Sequence, residues 1–423
     1  MELRFLYPDI EPVNIPDANL LGFFEPKEIS ARADESEVIR RGLADTIGTP
    51  RLRDMLRPGQ KVLVIGDDNT RLTPMSRILP FVEQELKAAG VRAEDVSLMI
   101  GYGTHRRMSR SEKERKYGSY ATGPYRLLDH DFQRTEDLAY LGRTELGTEV
   151  WVNKAVTEAD FVIGIGHIVP HRVAGFSGGA KIIQPAVCGE ITTGQTHWLS
   201  ARFPGKEIMG KAENPVRLEM EAVARQAGLS FIINAVQDRT GHIIKVVAGD
   251  PVAAHRVGTL TALDVFGVKI PCLGDIVITD TYPADIEMWQ AAKGMYMADL
   301  AVRDGGVVIL VTPCPEGVAA QHPEVERYGY RTYAETEKLV AAGELKDLSA
   351  AAHLVHVGEV IHKCACCYLV SPGISAETAR RLGFTWMPSA QAALDESFKV
   401  LGKNAGVLAF RHAGELLPVV AEK

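Results

Sequence analysis

The densest run of reactive side chains is Gly166-His167-Ile168-Val169-Pro170-His171-Arg172-Val173-Ala174-Gly175-Phe176-Ser177-Gly178-Gly179-Ala180-Lys181, followed by Gln195-Thr196-His197-Trp198. Imidazole changes charge near neutral pH, so His167, His171 and His197 are candidates for proton transfer or metal ligation. Adjacent glycines let a ligand approach the backbone closely. Successive N–H groups in Ser177-Gly178-Gly179 offer an anion nest to which Lys181 adds charge. The run is not a Walker phosphate loop, because Ala180 precedes the lysine and Ile182 follows it, and Gly164-Ile165-Gly166 lacks the third glycine of the dinucleotide fingerprint.

Three further groups could do chemistry. Asp68 and Arg71 lie in Gly66-Asp67-Asp68-Asn69-Thr70-Arg71-Leu72-Thr73-Pro74, between an apolar run and a helical pattern. Arg71 there could clamp a phosphate or carboxylate, or simply pair with Asp68. His105 in Gly103-Thr104-His105-Arg106-Arg107-Met108 is a candidate acid or base, or a surface histidine among cations. Trp289-Gln290-Ala291-Ala292-Lys293 places Gln290 and Lys293 on one helix face, which also suits a solvated surface. His353, His356 and His362, with Cys364, Cys366 and Cys367, suggest a metal site, but the spacing lacks the two separated ligand pairs of structural zinc. The alternation in this segment predicts a strand over 353–358, and a structural role is favoured there.

Elements that position these groups follow from the hydrophobic pattern. Strands are predicted over 61–68, 95–101, 161–166, 229–236, 275–280, 306–312 and 406–410. Helices are predicted from Pro74 to Gly90, from Asn214-Pro215 through Arg225, and around 287–303, 332–342 and 388–401. Ser109 and Glu112 form a capping box. The order predicts α/β, two domains with largely parallel sheets flanked by helices and the active site between them. The pattern breaks near 265–272, which divides the chain into 1–268 and 269–423. The Gly-, His- and Pro-rich stretch from about 166 to 212 reads as a functional loop.

Composition narrows the class. The chain has 423 residues, 46% hydrophobic and 24% charged, with a formal charge of −7. No basic surplus points to nucleic acid, so a small-molecule partner is expected. Six cysteines are too sparse for a disulfide scaffold. No apolar run approaches a membrane span, and the first 20 residues lack a basic stretch followed by an apolar one. A cytoplasmic protein is the expectation.

Taken together, Asp67–Arg71 (DDNTR), GTHRRM (103–108), PHRVAGFSGGAK (170–181), His197, NPVR (214–217) and QAAKG (290–294) resemble the nickel-pincer-nucleotide lactate racemase family of 2-hydroxyacid racemases and epimerases. The spacings from His105 to His171, to Lys181 and to His197 are 66, 10 and 16 residues and agree with it. The resemblance runs over roughly 5–420. It implies that Lys181 bonds covalently to the cofactor and that His197 is the single protein ligand to nickel. A lone imidazole beside sulfur donors from the cofactor suits square-planar Ni(II). It further implies that His105 and His171 are paired acid/bases, and that Arg71, Lys293 and Trp289 contact substrate. Asp68, Ser177, Gly178, Gly179 and Gln290 would contact the cofactor. The implied reaction is reversible hydride transfer, with a histidine taking the hydroxyl proton. The residues 1–268 would then carry the attachment loop and both histidines, with 269–423 adding Gln290 and Lys293 to the cleft. Partners would be a small 2-hydroxyacid and cofactor-maturation proteins, and an oligomer is compatible.

This chain departs from the family at Trp289, where tyrosine is common, at Gln184 and Cys188, and in the basic run after His105. An extra cation near the pocket, such as Arg106 or Arg107, would suit a second carboxylate or a polyol. Two other classes compete. One is a zinc-dependent hydrolase or lyase using His167, His171 and His197, and the other is a non-catalytic nucleotide-binding sensor.

Overall fold

The computed structural model describes residues 1–29 and 33–421. Its strands, in chain order, are β1 (Leu20–Phe24), β2 (Val62–Asp67), β3 (Val96–Gly101), β4 (Arg126–Asp129), β5 (Phe161–His167), β6 (Leu229–Gln237), β7 (Ile243–Gly249), β8 (Gly274–Asp280), β9 (Val302–Val311), β10 (Cys366–Val370), β11 (Thr385–Trp386) and β12 (Val407–Phe410). They form two six-stranded sheets. The first has the order β7-β6-β5-β2-β3-β4 and is parallel except for β7. The second, β11-β10-β9-β8-β12-β1, is parallel throughout. Small antiparallel pairs lie outside them.

Parallel strands are buried on both faces, and the sequence alternates accordingly. Val62 and Val64 enter one apolar cluster and Leu63 and Ile65 the opposite one. In the second sheet Ile276 and Ile278 face one cluster, while Val277 faces the other with Val308 and Leu310. The flanking helices named below are α1 (Met75–Ala88), α2 (Glu190–Ser200), α3 (Pro215–Gln226), α4 (Ala253–Phe266), α5 (Met288–Asp299), α6 (Leu348–Lys363) and α7 (Ala390–Leu401). Among the described residues no helix is long and apolar enough to cross a membrane.

Strand order reverses between β2 and β5 in the first sheet and between β8 and β12 in the second. Carboxyl ends at such reversals leave a crevice where ligands bind in open α/β sheets. Asp68 follows β2 and His167 ends β5. In the other half α5 follows β8, and Gly414 follows β12. All four of these elements border one cleft.

Two expectations are corrected. Residues 353–358 are not a strand but the middle of α6, opened by Asp347, whose side chain accepts from the Ser349 and Ala350 N–H groups. The helix is buried nearly all round, so its β-branched residues hide the helical period in a short window. The stretch 166–212 is not a continuous loop. It holds the hairpin Pro170–His171 with Gly175–Phe176, a 3₁₀ turn Gly179–Ile182, helix α2 and a short helix Gly205–Ile208. The sheets separate between β7 and β8, but β1 belongs to the second sheet by pairing with β12.

Candidate active site

A cleft open to solvent lies between the halves. From the first half it is lined by Asp68, Arg71, His105, His171, Lys181 and His197, and from the second by Trp289, Gln290 and Lys293. The structure thus brings together nearly every residue singled out by type and spacing.

His105 occupies the loop after β3 and is held from both sides. Its Nδ1 lies 2.7 Å from Asp68 Oδ2. A carboxylate only accepts, so Nδ1 carries the proton and Nε2 keeps its lone pair. Gln290 Nε2 sits 2.9 Å from that lone pair, and Gln290 Oε1 accepts from Lys293 Nζ at 2.9 Å. Lys293, Gln290, His105 and Asp68 therefore form one relay across the cleft, with each donor facing an acceptor. Burial alone would raise the Asp68 carboxyl, but His105, the two Thr70 donors and Arg71 hold it well below the usual range.

His171 is set the other way. Its Nδ1 accepts from the Val173 N–H at 3.2 Å, so in the neutral ring Nε2 carries the proton. Burial, then the nearby Lys181 and Arg71, push it well below its ordinary value. One imidazole thus presents a base and the other a donor.

Lys181 rides on the 3₁₀ turn after Gly178, and among the described residues its amine has no hydrogen bond or ion pair. Burial lowers it strongly, and Arg71, Arg217 and Lys293 add to that. A neutral buried amine is a nucleophile. His197 donates Nδ1–H to Thr193 O at 2.8 Å, one turn back on α2, which leaves Nε2 free. Burial and Lys181 lower it to about 4. Such an imidazole, neutral and oriented by its other nitrogen, is a ready metal ligand. Among the described residues no group of three His, Cys, Asp or Glu is placed to hold a metal. The zinc reading, which needs three protein ligands, is not offered that geometry.

Some expected contacts fall elsewhere. The Ser177 hydroxyl donates to His167 O at 2.8 Å and accepts from Val169 N–H at 3.0 Å, so it braces the turn. Gly179 N–H donates to Asn234 Oδ1 at 2.8 Å, and a Cβ there would press on His255 at 2.9 Å. Of the Ser177-Gly178-Gly179 nest, Ser177 and Gly178 reach the cleft wall and Gly179 does not. Arg106 and Arg107 are not pocket cations: Arg106 pairs with Glu112 and Glu316, and Arg107 with Asp131. Gln184 and Cys188 are packed inside rather than lining the cleft. The cysteines lie beyond the end of α6, and His362 is exposed.

Other residues went unassigned from sequence. Arg217 on α3, fully buried, donates to Ala174, Phe176 and Gly178 carbonyls and so pins the lysine loop. Its NPVR motif was the available signal. Trp289 is stacked between His322 at 3.9 Å and His353 at 4.3 Å. His322 in turn meets Thr104, next to His105, at 3.0 Å. Tyr296, three residues after Lys293 on α5, lines the cleft, as the helical spacing would have shown.

Fold and site together define a class: α/β proteins of two largely parallel-sheet halves, with two imidazoles in opposite tautomers and, among the described residues, an unpaired lysine in the cleft between them. The lactate racemase N-terminal domain model matches residues 9–208, and the lactate racemase C-terminal domain model matches residues 270–412. The chain belongs to the lactate racemase family. Over 309 residues it is 30% identical to the lactate racemase of Thermoanaerobacterium thermosaccharolyticum, covering 72% of each chain. Over 292 residues it is 31% identical to that of Lactiplantibacillus plantarum, covering 68% of each. Its fold matches the lactate racemase apoprotein structure from T. thermosaccharolyticum with a TM-score of 0.86 and 24% identity, over 99% of this chain and 100% of that one. A Thermotoga maritima protein matches with a TM-score of 0.74 and 22% identity, over 91% and 98%.

Proposed function

We propose that this chain interconverts the enantiomers or epimers of a small 2-hydroxyacid, with a nickel-pincer nucleotide attached through Lys181. The observation that carries the reading is the pair of cleft imidazoles in opposite proton states, His105 with a bare Nε2 and His171 with Nε2–H. Inversion at one carbon needs a proton carrier on each side of it.

The residues fit such a cofactor. The Lys181 amine is buried, shifted towards its neutral form and without a partner among the described residues, which suits covalent attachment. His197 Nε2 is a single free imidazole ligand, which suits a metal whose other ligands come from the cofactor. When bound, the group would accept a hydride from the substrate carbon and return it to either face. The protein's part is proton transfer and positioning. His105 Nε2 takes the hydroxyl proton, and Asp68 stabilises the resulting imidazolium. His171 does the converse work, presenting its Nε2–H to the substrate oxygen from the other side. Arg71 and Lys293 supply cations for the carboxylate, and the relay through Gln290 fixes the base relative to it. Trp289, clamped between two imidazoles, forms a rigid wall.

The test is intact-protein mass spectrometry with elemental analysis, on protein co-produced with cofactor-synthesis proteins. The expected result is a nickel-bearing adduct that disappears in Lys181→Ala together with racemisation. An active Lys181→Ala protein, or active protein with stoichiometric zinc and no nickel, would refute it.

A further inference from the structure

Arg172 follows His171 and is one of the least exposed arginines of the molecule, with 2% of its side chain accessible. It lines the cleft, yet its Nη1 is buried without any partner. Its Nη2 donates to Phe203 O at 2.8 Å and touches Glu359 Oε2 at a single 3.2 Å contact. Burial pushes the Glu359 carboxyl up, against the pull of Arg172. A buried cationic donor left unmade costs more than a neutral one. Around it stand groups that complete a polar end wall. Tyr296 lies 5.9 Å from His356 in an edge contact, and its hydroxyl is 3.0 Å from His353 Nδ1. Ser200 Oγ donates to His197 O at 2.6 Å, so it accepts from His356 Nε2 at 3.1 Å. His353 and His356 share a face of α6, and burial holds both neutral.

We infer that Arg172, backed by Tyr296, is a second oxyanion subsite of the cleft and takes the distal carboxylate of a 2-hydroxydicarboxylic acid. The inference rests on the racemase reading above and names the substrate class for it. A carboxylate accepting from Nη1 makes a charge-assisted hydrogen bond and neutralises the guanidinium. The phosphate of a bound nucleotide is the other source of the same chemistry, and the experiment separates the two.

The measurement uses cofactor-loaded holoenzyme, with loading verified by intact mass, and single enantiomers of malate and lactate. Wild type is expected to favour malate over lactate in kcat/KM at least tenfold. Arg172→Ala should lower that ratio tenfold or more, mainly through KM for malate, while adduct occupancy stays at the wild-type level. Arg172→Lys should restore part of the ratio. Tyr296→Phe should lower it in the same direction, which keeps the test available if Arg172→Ala fails to fold. A wild-type preference for lactate, or a ratio that no variant moves, overturns the inference. Loss of the adduct in Arg172→Ala assigns the guanidinium to the phosphate and overturns it too. Lactate turnover without malate turnover sinks this inference alone, whereas no turnover of either acid by verified holoenzyme sinks the racemase reading with it.

Discussion

Asp68 occupies a site whose burial would keep a lone carboxyl protonated, yet its neighbours hold it ionised. It fixes the His105 tautomer, and in the proposed reaction it would stabilise the charge that His105 acquires. Asp68→Asn keeps the shape and removes that charge. The expected result is a fall in kcat of about 10²-fold or more, the scale of a general base losing its function, with KM little changed, read by steady-state racemisation kinetics. An Asp68→Asn enzyme within threefold of wild type would show that the carboxylate has no such role. That Asp68, His105, His171, Lys181 and His197 share one cleft agrees with what their type and spacing suggest in the sequence. Which cation faces the pocket was not legible there. Arg106 and Arg107 look equivalent to Arg172 along the chain, but Glu316 and Asp131, far away in sequence, claim the first two.

Helix α1 shows how an element is tied to its surroundings. Glu85, buried on that helix, receives Arg51 at 2.7 Å and Arg53 at 2.5 Å. Burial works against its charge, but hydrogen bonds from Arg53 and Arg51 prevail and lower it from 4.5 to about 2. A depressed carboxyl stabilises the fold above its unfolded value and loses that effect as pH falls through its folded value. Glu85→Gln should therefore cost about 1–3 kcal/mol at pH 7. The gap from wild type should close between pH 4.5 and 2 in urea titrations, and a gap independent of pH would contradict this account. At this scale the buried parallel strands were readable, since runs such as Val62-Leu63-Val64-Ile65 are apolar on both faces. Helix α6 was misread because Leu354, Val355 and Val357 are all buried, so no polar face marks its period. Its Gly358 is a second hidden constraint: a Cβ there would meet the Arg331 carbonyl at 2.0 Å. Strand β1 gave little signal, being five residues long and only partly buried.

Polar links between the two halves include Gln290 with His105, His322 with Thr104, Ser200 with His356, Arg172 with Glu359 and Arg106 with Glu316. The last is more than a third exposed and adjoins His105. Exposed pairs contribute only about 0–1 kcal/mol and weaken with salt. Glu316→Gln should leave thermal stability nearly unchanged but raise KM by up to about threefold, the scale of such a pair. Added salt should raise the wild-type KM towards that of the variant. Equal salt responses in both proteins would show that the link does not hold the cleft together. The order of strands has a consequence for how this protein comes into being. All six strands of the first sheet lie between residues 62 and 249, so that sheet can assemble while the rest is still unmade. The second sheet cannot, because Leu20–Phe24 pairs with Val407–Phe410 and with no other strand. A ribosome delivers the first of these segments nearly 400 residues before the second. The earliest strand of that sheet thus waits for its latest, and the wall that carries Gln290, Lys293 and Tyr296 is completed only when that long loop closes.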